Sequence, residues 1–204
     1  MLDGKLLMSW TTVPIAGIAA VMPILPREPD IFPEDLLESV QAAEKPWWVI
    51  YTLARREKVF FRRLREMGIR HYCPLVPHRV KLGDGRIRTS WNPLFAGYVF
   101  LQGDDSERQK ALTTNCVSRC LVVRDHEQLV TDLRRIRQAI ESGLPITPQD
   151  KLEPGKPVRI RSGPLTGLEG VIVNRRGKHH LIVMVSFIQK GASVELDVVD
   201  VEAL

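Results

Sequence analysis

The chain has 204 residues, of which 44% are hydrophobic and 26% charged, and its formal net charge is +5. This length accommodates one large domain or two small ones, and the apolar share is ordinary for a globular protein. Its three cysteines, an odd number, exclude a closed set of disulfides. We interpret Cys73, Cys116 and Cys120 as reduced packing residues of a cytoplasmic protein, with a zinc site at Cys116 and Cys120 as the alternative.

Charge is distributed unevenly along the chain. Residues 1–44 contain 7 acidic and 2 basic residues, whereas residues 55–88 contain 3 acidic and 11 basic residues. A basic segment of this kind indicates either a surface for an anionic partner or a solvated face. Composition alone leaves both readings open.

Residues 1–44 are predicted to form an acidic, Pro-rich arm that is mostly disordered. The apolar segment 13–25 is too short, and too interrupted by Pro14 and Pro23, to span a bilayer. Four prolines between residues 23 and 33 exclude a helix there, and residues 34–43 are predicted to form a short helix.

Residues 45–142 alternate between strand and helix patterns. The aromatic and β-branched run at residues 47–52 predicts a strand, and residues 55–67 predict a helix with Phe60, Leu64 and Met67 on one apolar face. Further predicted elements are strands at residues 69–73, 97–101 and 119–123, a short helix at 106–112, and a helix between Asp125 and Gly143. This order predicts an α+β domain with a mainly antiparallel sheet.

A hairpin is predicted within this domain. Residues 80–82 and 86–89 flank the turn sequence Gly83-Asp84-Gly85. The two arms are rich in arginine and lysine and have little to bury, so we expect the hairpin to project into solvent.

The remainder of the chain differs in composition and shows no helical periodicity. Residues 143–153 contain Pro145 and Pro148 without periodicity and are interpreted as a linker. Residues 154–204 predict five short strands separated by glycines, at 157–161, 170–174, 181–185, 193–196 and 198–201. Such a pattern is typical of a small β-barrel.

Two motifs carry a family resemblance. Residues 152–173, LEPGKPVRIRSGPLTGLEGVIV, and residues 194–197, VELD, resemble the KOW domain at the C-terminus of NusG proteins. Residues 93–100, PLFAGYVF, resemble the signature of the NusG N-terminal domain, and residues 47–51 resemble its first strand. The resemblance covers residues 45–204 and implies an N-terminal NusG domain followed by a five-stranded, SH3-like KOW barrel.

The resemblance also implies a function. A NusG-type factor binds the clamp helices of the β′ subunit of RNA polymerase through its N-terminal domain and suppresses pausing. Its KOW barrel recruits either the termination factor Rho or a small-subunit ribosomal protein. Specialised members also contact the β gate loop through a His-Thr-Thr motif. Thr113-Thr114 follows Leu112 here, which leaves that contact open.

The resemblance assigns three groups of residues. An apolar pocket for the polymerase is expected at Trp47, Tyr51, Phe95, Tyr98 and Phe100, with Phe95 as the exposed anchor and a core role as the alternative for each. Phosphate contacts to upstream or non-template DNA are expected from Arg55, Arg56, Arg62, Arg63, Arg79, Lys81, Arg86 and Arg88. The KOW partner is expected at Leu165, Leu168, Phe187 and Ile188, with packing over the barrel end as the alternative.

Ala96 departs from the family pattern, which has proline there, and so leaves the rigidity of the pocket open. The motifs of nucleophilic, phosphate-loop and metal catalysis are missing, so we expect a monomeric adaptor without cofactor or membrane attachment. A specialised antitermination paralogue is favoured over a general factor. The alternative from another class is a ribosome-associated, RNA-binding KOW protein.

Overall fold

A computed structural model describes residues 27–39, 41–149, 155–175, 177–196 and 200–204. The predicted apolar segment at residues 13–25 lies outside the described residues. The fold is α+β with antiparallel sheets, as the sequence predicts.

The first sheet has five antiparallel strands. Their order in space is β1 (Ile31–Phe32), β3 (Arg70–Tyr72), β6 (Tyr98–Gln102), β2 (Trp47–Thr52) and β7 (Val117–Val122). The apolar run around Val99 therefore lies near the centre of the sheet, because Ile50 of β2 and the residues of β3 pair on its two sides. This is the position expected for the most hydrophobic strand.

Each face of this sheet has its own core. On one face, Ile50 and Leu101 pack with the apolar side of α2 (Glu57–Glu66), which includes Phe60 and Phe61. The short helix α3 (Asp105–Leu112) adds Ala111 to the same cluster. The opposite face carries the aromatic residues described below and packs against α4 (His126–Glu141).

The helices begin where their capping residues allow. In α3 the side chain of Asp104 accepts from the Glu107 amide, and the Glu107 side chain accepts from the Asp104 amide, which is a capping box. The helix begins at Asp105, one residue before the predicted start. In α4 the Asp125 side chain accepts from the Gln128 amide at 2.9 Å. Each cap satisfies backbone donors that the first turn leaves unpaired.

The predicted hairpin is present and longer than the sequence indicates. Strands β4 (Leu75–Lys81) and β5 (Ile87–Pro93) pair along their whole length as a separate two-stranded sheet. Only its base is buried, at Leu75 and Val76, whereas Ile87 near the tip is 65% exposed.

The second sheet has six strands instead of five. Their order is β13 (Val201–Ala203), β9 (Lys156–Ile160), β10 (Glu169–Arg175), β11 (Lys178–Val185), β12 (Lys190–Leu196) and β8 (Ile146–Gln149). The added strand β8 lies within the segment predicted as a linker. It pairs with β12 as an edge strand, and Pro148 is tolerated because an edge strand has one side without ladder partners.

The prediction that the acidic arm is mostly disordered is wrong for residues 27–39. Strand β1 extends the first sheet, and Leu36 and Leu37 are fully buried. The helix predicted at residues 34–43 is replaced by turns and by the short helix α1 (Gln41–Glu44). Arg134 of α4 donates to the Leu37 carbonyl at 2.7 Å, so tertiary contacts, not local helix propensity, set the path of this segment.

Candidate functional site

The predicted aromatic pocket lies on the face of the first sheet that packs against α4. Trp47 and Phe100 are fully buried, and the Trp47 indole donates to the Ala42 carbonyl at 2.5 Å. Phe95 is 2% exposed and lies edge-on to Phe100, with ring centroids 6.4 Å apart. The prediction of Phe95 as an exposed anchor is therefore wrong in this conformation.

The burial of Phe95 follows from the path of the chain after β5. The Leu94 amide donates to the Pro74 carbonyl at 2.8 Å, and the Tyr98 amide donates to the Phe95 carbonyl at 3.0 Å. These bonds fold the turn back under the sheet and direct Phe95 into the core cluster that contains Phe100.

Two of the five aromatic residues remain accessible. Tyr51 is 40% exposed and Tyr98 is half-buried; they pair across β2 and β6, and their ring centroids are 5.1 Å apart. Leu121 on the neighbouring strand β7 is 39% exposed and pairs with Val49, two residues from Tyr51 and on the same face. We call Tyr51, Tyr98 and Leu121 the tyrosine patch.

The turn beneath the tyrosine patch is held by a carboxylate that the sequence analysis missed. Gly97 has φ +83°, and a Cβ there would lie 2.8 Å from the Tyr51 ring, so only glycine fits. The buried Glu57 accepts from the Gly97 amide at 2.8 Å, and the Thr52 amide donates to the Gly97 carbonyl at 2.8 Å. These bonds fix the turn, although Ala96 stands where the resemblance implies a proline.

All eight predicted phosphate-binding residues are exposed. They form two groups, one before and along α2 (Arg55, Arg56, Arg62, Arg63) and one on the hairpin (Arg79, Lys81, Arg86, Arg88). Arg63 donates to the Thr114 carbonyl, Arg86 pairs with Asp84 at 2.8 Å, and Arg62 pairs with Glu28 at 2.5 Å. Several of these charges are thus already bound within the chain.

The four predicted partner residues of the barrel divide into two kinds. Leu165 and Leu168 are each 1% exposed, in the same cluster as Leu133 and Ile136 of α4. In this arrangement the first domain covers both leucines, and their role as partner residues stays a prediction. Phe187 is 38% exposed, and Ile188 is half-buried against the cluster.

A polar contact accompanies this packing between the domains. Asp132 of α4 is 2% exposed and accepts from the Ser186 amide of the barrel and from the Gln128 side chain, both at 2.8 Å. Arg135 pairs with Glu169, and the Gln138 side chain donates to the Thr166 carbonyl at 3.1 Å. The sequence predicted the helix α4 but gave no signal that its polar residues bind the barrel.

The titratable groups of the described residues form no recognisable catalytic set. Burial raises the pKa of the Cys73 and Cys120 thiols, so both stay protonated at neutral pH. Within the described ranges, no three His, Cys, Asp or Glu side chains converge closely enough to hold a metal ion. The same part of the chain contains no helix with the length and apolar character needed to cross a bilayer.

Comparison with known proteins identifies the first domain. Residues 45–142 match the NusG family, described as transcription termination factor NusG. A solved structure described as "Domain interaction in Thermotoga maritima NusG" is 21% identical, with a TM-score of 0.41, and the match covers 79% of this chain and 98% of that chain. A TM-score of this size does not establish a common arrangement of the domains. The curated proteins gave no match. Residues 45–142 therefore form a domain of the NusG family.

Proposed function

We propose that this chain is a transcription elongation factor that binds RNA polymerase through residues 45–142 and suppresses pausing. The NusG family is a family of transcription factors and not of enzymes. The observation that carries the proposal is the family match over a domain that presents an accessible aromatic surface, the tyrosine patch.

In this proposal the tip of the β′ clamp helices docks on the tyrosine patch. Tyrosine suits such a site because its ring offers a large contact area with few rotatable bonds to fix. The two rings lie side by side above a turn that Glu57 and Gly97 hold in place, so the surface is preorganised. Phe95, Trp47 and Phe100 support the patch from below.

The exposed basic residues supply the second part of the proposal. The hairpin carries Arg79, Lys81, Arg86 and Arg88 into solvent, where they can contact the phosphates of upstream or non-template DNA. Contacts of this kind position a protein on nucleic acid without reading its sequence. They would weaken as salt is raised.

The third part concerns the barrel as a recruiting domain for Rho or a small-subunit ribosomal protein. Leu165 and Leu168 are covered by α4, whereas Phe187 remains partly exposed. We infer that the packed arrangement is a closed state, and that recruitment requires the barrel to leave α4. The ordered acidic segment at residues 27–39, which lies outside the family match, favours a specialised paralogue over a general factor.

The proposal is tested by transcription in vitro on a template with a defined pause site. Purified chain added to elongating polymerase is expected to shorten the pause. Tyr51→Ala is expected to remove the effect, whereas Leu53→Ala, a change at a residue that is 46% exposed and outside the patch, is expected to retain it. Unchanged pause lifetimes with the unmodified chain would refute the proposal.

A further inference from the structure

The described part of the acidic arm, residues 27–39, places Glu28 against the basic side of α2. The carboxylate of Glu28 accepts from Arg62 through both of its oxygens, at 2.5 Å from Nε and 2.6 Å from Nη2. This two-bond geometry is the one in which arginine binds carboxylates and phosphates alike. The Glu28 carboxylate therefore already binds Arg62, which is one of the residues predicted to contact nucleic acid.

The pair belongs to a basic stripe along α2. Lys58, Arg62 and Arg65 are spaced four and three residues apart, which places them on one side of a helix whose opposite side buries Phe60 and Leu64. The hydrogen bond from Arg62 lowers the pKa of Glu28, and the charges of Lys58 and Arg65 lower it further. All three cations thus stabilise the ionised form of the Glu28 carboxylate.

The arm is anchored on the C-terminal side of Glu28. Asp30 is 6% exposed; its side chain accepts from the Leu75 amide at 3.0 Å, and its carbonyl accepts from the Cys73 amide at 2.7 Å. Arg65 donates to the Pro29 carbonyl at 2.6 Å. Within the described part of the chain, the side chain of Glu28, which is 28% accessible, is held only by its pair with Arg62, whose side chain is 51% accessible. The carboxylate can therefore leave Arg62 while the rest of the arm stays in place.

We propose that Lys58, Arg62 and Arg65 form a binding site for a nucleic-acid phosphate, and that Glu28 is a built-in competitor which occupies this site until a phosphodiester replaces it. An exposed ion pair is weak, so a polyanion that brings several phosphates displaces a single carboxylate. The site deepens the proposed nucleic-acid interface and rests on it. It adds Lys58 and Arg65 to the predicted residues and assigns a role to an arm outside the family match.

The test is a titration of the full chain with short duplex DNA containing a central bubble, followed by fluorescence anisotropy over a series of salt concentrations. Glu28→Gln is expected to tighten binding by up to about fivefold, the equilibrium ratio of a strong exposed ion pair. It is also expected to steepen the dependence of log K on log salt by up to about 0.9, the value for one additional phosphate contact.

A matched control separates the site from net charge. Glu38→Gln removes the same charge from the same arm, but Glu38 pairs with Arg137 of α4 at 3.2 Å. The proposal requires that this variant bind DNA like the unmodified chain, and that Glu28→Gln have no further effect once Arg62→Gln is present. Thermal melting checks that each variant folds.

Three results would overturn the proposal: equal effects of Glu28→Gln and Glu38→Gln, no effect of Glu28→Gln while Arg62→Gln weakens binding, or no DNA binding by any variant. Polymerase binding measured on the same samples distinguishes these failures from a failure of the proposed function. If the chain binds polymerase while any of these results holds, only the phosphate site with Glu28 as its competitor is refuted.

Discussion

Replacement of Asp132 by alanine is predicted to release the barrel from the first domain. The Asp132 carboxylate is buried and accepts a hydrogen bond from the Ser186 amide across the domain contact at 2.8 Å. In Asp132→Ala, closure of the domains would leave the Ser186 amide without this acceptor. Separation of the domains instead returns that amide to water, so the substitution favours the open state.

The size of the effect follows from this one bond. A hydrogen bond to a charged group contributes about 1.5–3 kcal/mol. At about 1.4 kcal/mol per factor of ten, its loss shifts the ratio of closed to open molecules by about 10- to 150-fold. Gln128→Ala is the control, because Gln128 donates to the same carboxylate from within α4 and leaves the bond to Ser186 in place. Its effect on opening should be much smaller.

Hydrogen exchange followed by mass spectrometry measures this opening. The loop at residues 163–168 carries the buried Leu165 and Leu168, and the Gln138 side chain binds the Thr166 carbonyl in the closed state. The amides of this loop should exchange faster in Asp132→Ala than in the unmodified chain. In Gln128→Ala their exchange rates should be nearly unchanged. Unaltered exchange of this loop in a folded Asp132→Ala variant would refute the reasoning.

Three further predictions concern stability. Burial lowers the pKa of His71 from 6.5 to about 4, so the unfolded state binds the proton more tightly; about 3 kcal/mol of stability present above pH 6.5 should be lost as pH falls through 4. Denaturant melts from pH 7 to 4 should show this loss of stability in the unmodified chain and in a control with a change at the exposed His78, His78→Gln. The loss should be absent in His71→Leu, and the same fall in stability with pH in that variant would contradict the role of His71. Leu36→Ala should cost about 2–5 kcal/mol because Leu36 is fully buried, whereas Leu53→Ala should cost under about 0.5 kcal/mol; equal denaturation midpoints would show that the arm is not part of the folded domain. Phe95→Ala should cost about 3–5 kcal/mol in the same melts, and a neutral result would restore Phe95 as a surface residue.

Local sequence signals predicted most elements of the two sheets, though not β1 or β8, because those signals act over a few residues. The apolar run at Val99 and Phe100 marked a central strand, and the glycines around Asp84 marked the hairpin turn. Helices α3 and α4 begin within one residue of the predicted bounds. In each case the responsible atoms are close together along the chain.

The ordered arm could not be predicted for a physical reason. Its acidic and Pro-rich composition is typical of disorder. Its order comes from distant contacts: Leu36 and Leu37 enter a core formed by residues far along the chain, and Arg134 binds the Leu37 carbonyl across 97 residues. Two adjacent leucines after Pro33 were the only local signal.

The sequence predicted which aromatic residues lie together, but it did not predict which of them are exposed. The aromatic residues lie together, as expected, yet the turn after β5 buries Phe95 and leaves Tyr51 accessible. Likewise, Leu165 is buried because Asp132 and Ser186, 54 residues apart, join the domains. Exposure of a binding residue depends on such tertiary contacts, which a periodic pattern does not contain.

Binding of the purified chain to core RNA polymerase is the most direct test of the central claim. In a pull-down, the unmodified chain and Leu53→Ala are expected to retain polymerase, Tyr51→Ala is expected to lose it, and Asp132→Ala is expected to bind at least as tightly as the unmodified chain. Failure of both the unmodified chain and Asp132→Ala to retain polymerase, in preparations that melt as folded proteins, would refute polymerase binding by this chain.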